Sequence, residues 1–318
     1  MTVKKKTHMK TKTRRLLGKI LFALLVLIVC VFVISPVWFM LMMSLGDPQE
    51  TFATQHPRYV ISHLYYATPD DRDYTGTAWD RILPKWWLRV LIEPEAGGVT
   101  LDRDLAQRFS KSLRVATITA ILSLVISVPG AYAISRMAPK LKHFLILLIF
   151  FTRMYPEVGI ALPVAVAFQK LDIYVPIFYD TFFGLELVLA HMIITLPLTT
   201  WVLVGAFETI PIDLEEQASV DGANRLQTIW RIVIPVAAPG IAVATIFAWL
   251  ASWDEVTYAI YLTLFNRTLP LEIVEIVGRS PAPVIATYAT IVTIPVVLVT
   301  YLMQRWIRAD YLAGSVKG

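Results

Sequence analysis

EEQASVDGANRLQTIWRIVIP occupies residues 215–235, a polar, glycine-broken stretch set between two runs apolar enough to cross a bilayer. A charged helix in such a place is expensive unless it stands in water, so the two flanking runs must be separate spans with this stretch outside the hydrocarbon. That makes the chain polytopic, and the rest of the sequence agrees. It is 56% hydrophobic and 17% charged, with a mean hydropathy of +0.61, too apolar for a soluble domain of 318 residues. A spanning helix needs about 20 mostly apolar residues. Six runs qualify: 20–43, 113–134, 144–168, 187–207, 241–262 and 284–306. The expectation is an all-α membrane protein with six transmembrane helices.

Charge sets the topology. Lys4, Lys5, Lys6, Lys10, Lys12, Arg14, Arg15 and Lys19 form an N-terminal block without one acidic residue, which reads as an anchor on anionic lipid at the cytoplasmic face. The first run is too long for a secretory signal and has no small-residue cleavage site after it, so it is expected to remain as a helix. With the N-terminus inside, Arg136, Lys140 and Lys142, the 215–235 stretch, and the tail with Arg305, Arg308 and Lys317 all fall inside as well. The net charge of +5 is thus accounted for by lipid, not nucleic acid. Cys30 is the single cysteine and lies in the first span, so no internal disulfide exists.

Residues 46–108 are then external and rich in acidic side chains. A connection of such length is functional, ordered into a small subdomain, or disordered; its aromatics favour order. Tyr65, Tyr66, Trp79, Trp86 and Trp87 could dock on the helices or lie as an aromatic belt at the headgroups, with a docking surface for an external partner as the sharper reading. The domain reading is a basic N-terminus 1–19, a first span 20–45, the external segment 46–108, a core 109–306 and a tail 307–318. Pro129, Pro156, Pro163, Pro197 and Pro295 fall inside spans, tolerable only where neighbouring helices or a cavity satisfy the freed carbonyls.

Within the 211–235 loop, Pro211 suits a helix start, and Asp213, Glu215 and Glu216 suit the positive end of its dipole. Gly222 supplies a stop, and a second helix is expected over 224–234, ending at Pro235. Helical spacing brings Leu214, Ala218 and Asp221 to one side, a small mixed face suited to docking on protein. Glu216 and Ala218, three residues, Gly222, nine residues, Ile232, one residue, Ile234 and Pro235 resemble the EAA loop of permease subunits of ABC importers. Gln217 stands where that family usually has alanine.

The resemblance extends from residue 109 to the end. Residues 109–116, Ala131-Tyr132-Ala133, Met154-Tyr155-Pro156 with Pro163, Asp221-Gly222-Ala223, Trp253-Asp254 and the terminal 313–318 look like the MalG-type carbohydrate-uptake branch. Trp253-Asp254 departs from the commoner Trp-Asn, and the external segment is longer than usual. The resemblance implies the type I ABC importer transmembrane fold and a partner set: a second, MalF-like permease, two copies of a cytoplasmic ATPase and an extracytoplasmic solute-binding protein. It implies a coupling helix in which Glu216 is the charged anchor, Gly222 the turn, and Ala218 and Ala223 close-approach positions, with Asp221, Ile232 and Pro235 in the same contact. It also implies that the loop at 264–283, with Asn266, Arg267 and Gly278, reaches the binding protein, and that Gly314 and Lys317 touch the ATPase.

There is no Gly-x-x-x-x-Gly-Lys-Ser/Thr loop here, so ATP and Mg are expected on the partner ATPase and the chain is not itself an enzyme. Arg153 and Glu157 stand four apart and suit an ion pair, either structural or on the translocation path; Trp253, Asp254 and Glu255 are candidates for the same path. His191, inside the fourth span, suits an interhelical hydrogen bond better than a proton relay. The function expected is import of a sugar, oligosaccharide, polyol or glycerol-type solute, ahead of a polyamine importer or a secondary transporter.

Overall fold

A computed structural model describes residues 3–46, 64–70, 78–95, 98–101, 103–172, 184–263 and 267–307, with side chains described from residue 17 onward except in 93–101. Contacts divide it into two units, Met1–Val99 with Ser280–Thr290, and Thr100–Arg279 with Ile291–Gly318.

In the first unit, α1 (Val3–Leu45) is one long helix, and its apolar part, Leu17–Leu45, has no residue of its most hydropathic window buried inside the chain. That is how a helix looks when lipid or another chain is its neighbour. The chain then returns on itself. α2 (Trp79–Ile82) and α3 (Lys85–Leu91) follow, and Trp86 Nε1 donates to the Gly46 carbonyl at 3.2 Å while Trp87 Nε1 reaches Ser44 Oγ at 3.4 Å. Lys85 lies over the rings of Tyr65 and Trp86, 5.2 and 5.6 Å from their centroids. Trp86 and Trp87 therefore clamp this segment to the end of α1, so these two dock on a helix, while Tyr66 and Trp79 stay exposed. β1 (Ile92–Glu95) and β2 (Gly98–Leu101) pair as a two-stranded ribbon, so the chain departs from all-α by this one element among the described residues.

The second unit is built on α4 (Arg103–Ser135), α7 (Leu185–Glu208) and α10 (Ile234–Trp253), each packed against the other two. Lipid supplies no hydrophobic drive between helices, so small residues and hydroxyls hold them together. Ser123 meets Thr195 at 2.6 Å and Ser127 meets Thr199 at 2.7 Å, two rungs one helical turn apart on both α4 and α7. Ala116, Ala120 and Ala248 are buried where α4 meets α10, and there Trp249 stacks on Trp253 at 5.0 Å, with Nε1 bonds to Thr117 Oγ1 and the Val292 carbonyl. Gly240 takes this furthest, because a Cβ there would lie 2.2 Å from the Ala206 Cβ.

Five described helices are long and apolar enough to cross a membrane. The third expected span is instead two shorter helices, α5 (Pro139–Phe151) and α6 (Glu157–Asp172), of 13 and 16 residues, each below the about 20 needed. Pro156 disfavours helix at Tyr155, and the chain leaves α5 in tight turns from Arg153 N–H to Phe150 and Met154 N–H to Phe151. The fifth expected span is displaced as well. It runs Arg225–Trp253 instead of over 241–262, and α11 (Thr257–Leu262) is separate. Both Glu255 carboxylate oxygens accept the Tyr258 N–H, at 3.2 and 3.0 Å, which restarts the helix there. α12 (Leu269–Ile276) and α13 (Ala282–Ile307) complete the chain.

Candidate functional site: the 207–235 loop

The loop is assembled from three local devices. α8 (Ile212–Val220) opens after Pro211, with Asp213 and Glu215 in its first turn at the positive end of the helix. It closes in a Schellman motif: Ala223 N–H returns to the Ala218 carbonyl at 2.9 Å and Gly222 N–H to Ser219 at 3.1 Å. That turn needs a left-handed residue, and Gly222 sits at φ +86°. No atom lies within 4 Å of where its Cβ would be, so the glycine serves the backbone angle and not close approach. The second device is a capping box, with Gln227 N–H on Asn224 Oδ1 and Asn224 N–H on Gln227 Oε1, both 2.9 Å, starting α9 (Arg225–Thr228). The third is a π-helical turn, Ile229–Val233, leading into α10. Pro235 lacks the N–H that the α register would require, and a wider turn absorbs the deficit.

The loop is clasped to its own chain by Glu215, whose carboxylate accepts from Arg136 Nη2 at 2.5 Å, Arg136 Nε at 2.9 Å and Tyr132 Oη at 2.5 Å. Arg136 also donates to the Phe207 and Ile210 carbonyls at 3.2 and 3.3 Å, satisfying the orphan end of α7. Beside it, Lys142 pairs with Glu208 at 2.6 Å. Sequence reasoning placed Arg136 and Lys142 only as topology markers and passed over Glu215 in favour of Glu216. The signal was present: arginines and acids in two loops on one side of the membrane are natural partners.

The clasp fixes which side of α8 is free. Ala218 is 5% exposed and its carbonyl accepts in the Schellman closure, while Leu214 on the same side is 37% exposed. The outward side carries Asp213, Glu216 and Gln217 with Val220, which is 88% exposed. Val220 was not singled out by sequence. Asp221, Gly222 and Pro235 are exposed, and Ala223 and Ile232 half-buried.

The other expected site residues separate. Arg153 Nη1 and Glu157 Oε1 lie 3.7 Å apart, partly exposed at the break between α5 and α6. Arg153 Nη1 also donates to the Ile194 carbonyl at 3.4 Å. Asp254 is exposed. Trp253, 1% exposed, is held in the tryptophan stack, and Glu255, 7% exposed, caps α11 and faces His191 Nε2 at 3.3 Å. His191 makes the expected interhelical contact, Nδ1 to Ser252 Oγ at 2.8 Å. Arg267 pairs with Glu275, and Gly278 turns the chain at φ +79°. Asn266, Gly314 and Lys317 lie outside the described residues.

Residues 123–312 match the family described as binding-protein-dependent transport system inner membrane component. The chain belongs to that family. As a permease of this kind it is a transport subunit of the membrane, and it is multi-pass. It is 30% identical over 213 residues to the trehalose transport system permease protein SugB of Mycobacterium tuberculosis, covering 65% of this chain and 75% of that one. It is 31% identical over 224 residues to the sulfoquinovosyl glycerol transport system permease protein SmoH of Agrobacterium fabrum, covering 68% and 75%. Its fold matches, at a TM-score of 0.62 and 22% identity over 92% of this permease, a chain of a bacterial ABC transporter that imports the acidic polysaccharide alginate. The fold is that of type I ABC importer permeases.

Proposed function

We propose that this permease is one of two membrane subunits of an ATP-driven importer, forms half of the pathway for a sugar, oligosaccharide, polyol or glycerol-type solute, and takes work from a separate ATPase through α8. The carrying observation is the clasped coupling helix: Glu215 ties its inner side to Arg136 and Tyr132, leaving an acidic side with the exposed Val220 for a partner. An apolar knob among charges fits a partner cleft, where the apolar contact supplies affinity and Glu216 supplies register through a charge-assisted bond. The solute class follows relatives named for trehalose and sulfoquinovosyl glycerol transport.

ATP and Mg belong to the ATPase, present as two copies, and a MalF-like permease and an external solute-binding protein complete the assembly. The chain sits in a bacterial or archaeal cytoplasmic membrane with both termini and α8 inside. Arg153, Glu157 and Asp254 are the ionisable groups left exposed for the path, while Arg267 and Gly278 lie in the segment that meets the binding protein. The test is to purify the tagged chain with its companions and measure which solute-loaded binding protein stimulates ATP hydrolysis. Stimulation by a carbohydrate-loaded protein supports the assignment; absence of any copurifying ATPase overturns it.

A further inference from the structure

The end of α4 opposite the coupling loop carries a second set of charges, and the proposed function uses none of them. Arg108 Nη1 lies 3.4 Å from Glu272 Oε1, with the side chains 22 and 12% exposed. One turn further along α4, the Leu269 N–H donates to Ser112 Oγ at 2.8 Å, a buried bond between residues 157 apart in sequence. The two contacts are thus spaced by one turn on both helices. They are taken in opposite order, Arg108 with Glu272 and Ser112 with Leu269, so α12 runs back along α4.

α12 needs such support, because its 8 residues are too few to hold a helix in water. Its first turn is embedded: Leu269, Pro270 and Leu271 are buried, and Leu271 joins the core of Val115, Leu187 and Leu262. Past Glu272 none of its residues is buried, and Val274 and Val277 are 53 and 58% exposed. Arg267 pairs with Glu275 inside the same segment, which gives no hold on the core.

The α4 side of the clip is fixed from behind. Lys111, on the same turn, lies 3.8 Å from Glu186, with the side chains 4 and 0% exposed. At the entry to α7, a Cβ on Gly184 would lie 2.6 Å from Val115 Cγ2. This turn of α4 therefore grips α7 on one side and α12 on the other. Glu272 Oε2 is buried and has no hydrogen-bond partner among the described residues, so Arg108 compensates that carboxylate through Oε1. Asp104 also approaches Arg108, at 3.6 Å, but it is 71% exposed and competes weakly.

We propose that Arg108, Ser112 and Glu272 are positioning residues, a two-point clip that holds α12 in the pose in which Val274, and Val277 just past the helix, meet the solute-binding protein. The inference rests on the reading of residues 264–283 as that partner's contact. The apolar first turn fixes where α12 starts, and the clip fixes its direction.

The test uses the whole purified transporter, titrated with the solute-loaded binding protein that stimulates its ATPase, alongside hydrogen exchange of the backbone amides. Ser112→Ala with Glu272→Ala opens both points and leaves no buried carboxylate behind. Exchange of the 269–276 amides should quicken by about tenfold or more while the α7 amides stay protected. The binding-protein concentration for half-maximal stimulation should rise about tenfold as the competent pose becomes a minority, with the rate at saturation kept. Glu272→Gln alone, of the same shape without the charge, should give a smaller shift of the same kind. A purely structural role would lower the saturating rate or the copurified ATPase and leave the half-maximal concentration alone, and that result overturns the proposal. Amides that stay protected in the double variant overturn the clip. Val274→Asp leaves the clip intact and tests the contact it presents: if that variant changes no binding-protein response, the reading of 264–283 falls and the positioning role with it, whatever the amides show.

Discussion

Arg136 and Glu215 are 79 residues apart in sequence and meet through two guanidinium bonds, of 2.5 and 2.9 Å. Their side chains are 18 and 17% exposed, so this is a largely desolvated pair with a third ligand, Tyr132, and not a surface contact. Removing one partner of a buried pair strands the other charge and costs about 3–5 kcal/mol when burial is complete; partial solvation brings that down to about 2 kcal/mol here.

The penalty falls on the seating of α8 and only secondarily on the fold. Arg136→Gln is therefore expected to leave the protein inserted and assembled while solute-stimulated ATP hydrolysis drops by about tenfold or more. The charge-reversed pair Arg136→Glu with Glu215→Arg should recover part of the loss, and a double-mutant cycle on stimulated ATPase rate measures the coupling. Additive losses in that cycle would show that the two residues act separately.

Gly222 is needed for its angle. At φ +86° with open space around it, Gly222→Ala adds a left-handed penalty of about 1–2 kcal/mol and no clash. Gly222→Asn, which tolerates that region, should cost less. Pro fixes φ near −65° and so breaks the Schellman closure. The expected order of coupled transport is Gly, Asn, Ala, Pro, read as solute uptake per ATP hydrolysed. An alanine variant weaker than proline would mean that the motif does not form.

The spans and the loop were legible because each has a local signature: apolar length for the first, fixed spacing of Pro211, Gly222, Asn224 and Pro235 for the second. What composition concealed was set by tertiary partners. Pro156 lies inside a run apolar enough to read as one span, and only the turn geometry at 152–156 divides it into α5 and α6. Glu215 and Glu216 are adjacent acids, and which one turns inward depends on where Arg136 stands. Ala218 is small enough to permit close approach, and within this chain its carbonyl is engaged by the helix's own closing turn. Asp254 and Glu255 are likewise adjacent, one exposed and one buried against His191.

The approach of α10 to α7 at Gly240 offers a test by compensation. A methyl at Gly240 would sit 2.2 Å from the Ala206 Cβ, so Gly240→Ala forces α7 and α10 apart, an overpacking cost of typically 1–3 kcal/mol. Thermal unfolding of the detergent-solubilised assembly should fall by several degrees. Ala206→Gly creates the missing room, so Ala206→Gly with Gly240→Ala should recover most of the loss. If the single variant is as stable as wild type, the two helices are not held at this distance.

His191 stands between Ser252 and Glu255, 2.8 Å from Oγ through Nδ1 and 3.3 Å from the carboxylate through Nε2. A serine, a histidine and a carboxylate in one line suggest either a nucleophile or a proton path, but Ser252 and His191 are 3 and 1% exposed and no substrate atom can approach them. The node is a clamp joining α7 to the end of α10 and the start of α11. His191→Gln keeps a polar partner for Ser252 and is expected to retain solute uptake with an unchanged pH profile. His191→Leu leaves Ser252 without its partner, at about 1–3 kcal/mol, removes the imidazole beside Glu255, and should lower the unfolding temperature and the yield of assembled transporter. Measuring uptake across pH, with and without a protonophore, separates the two roles. Protonophore-sensitive uptake that vanishes in the glutamine variant would make His191 a proton carrier and overturn the clamp.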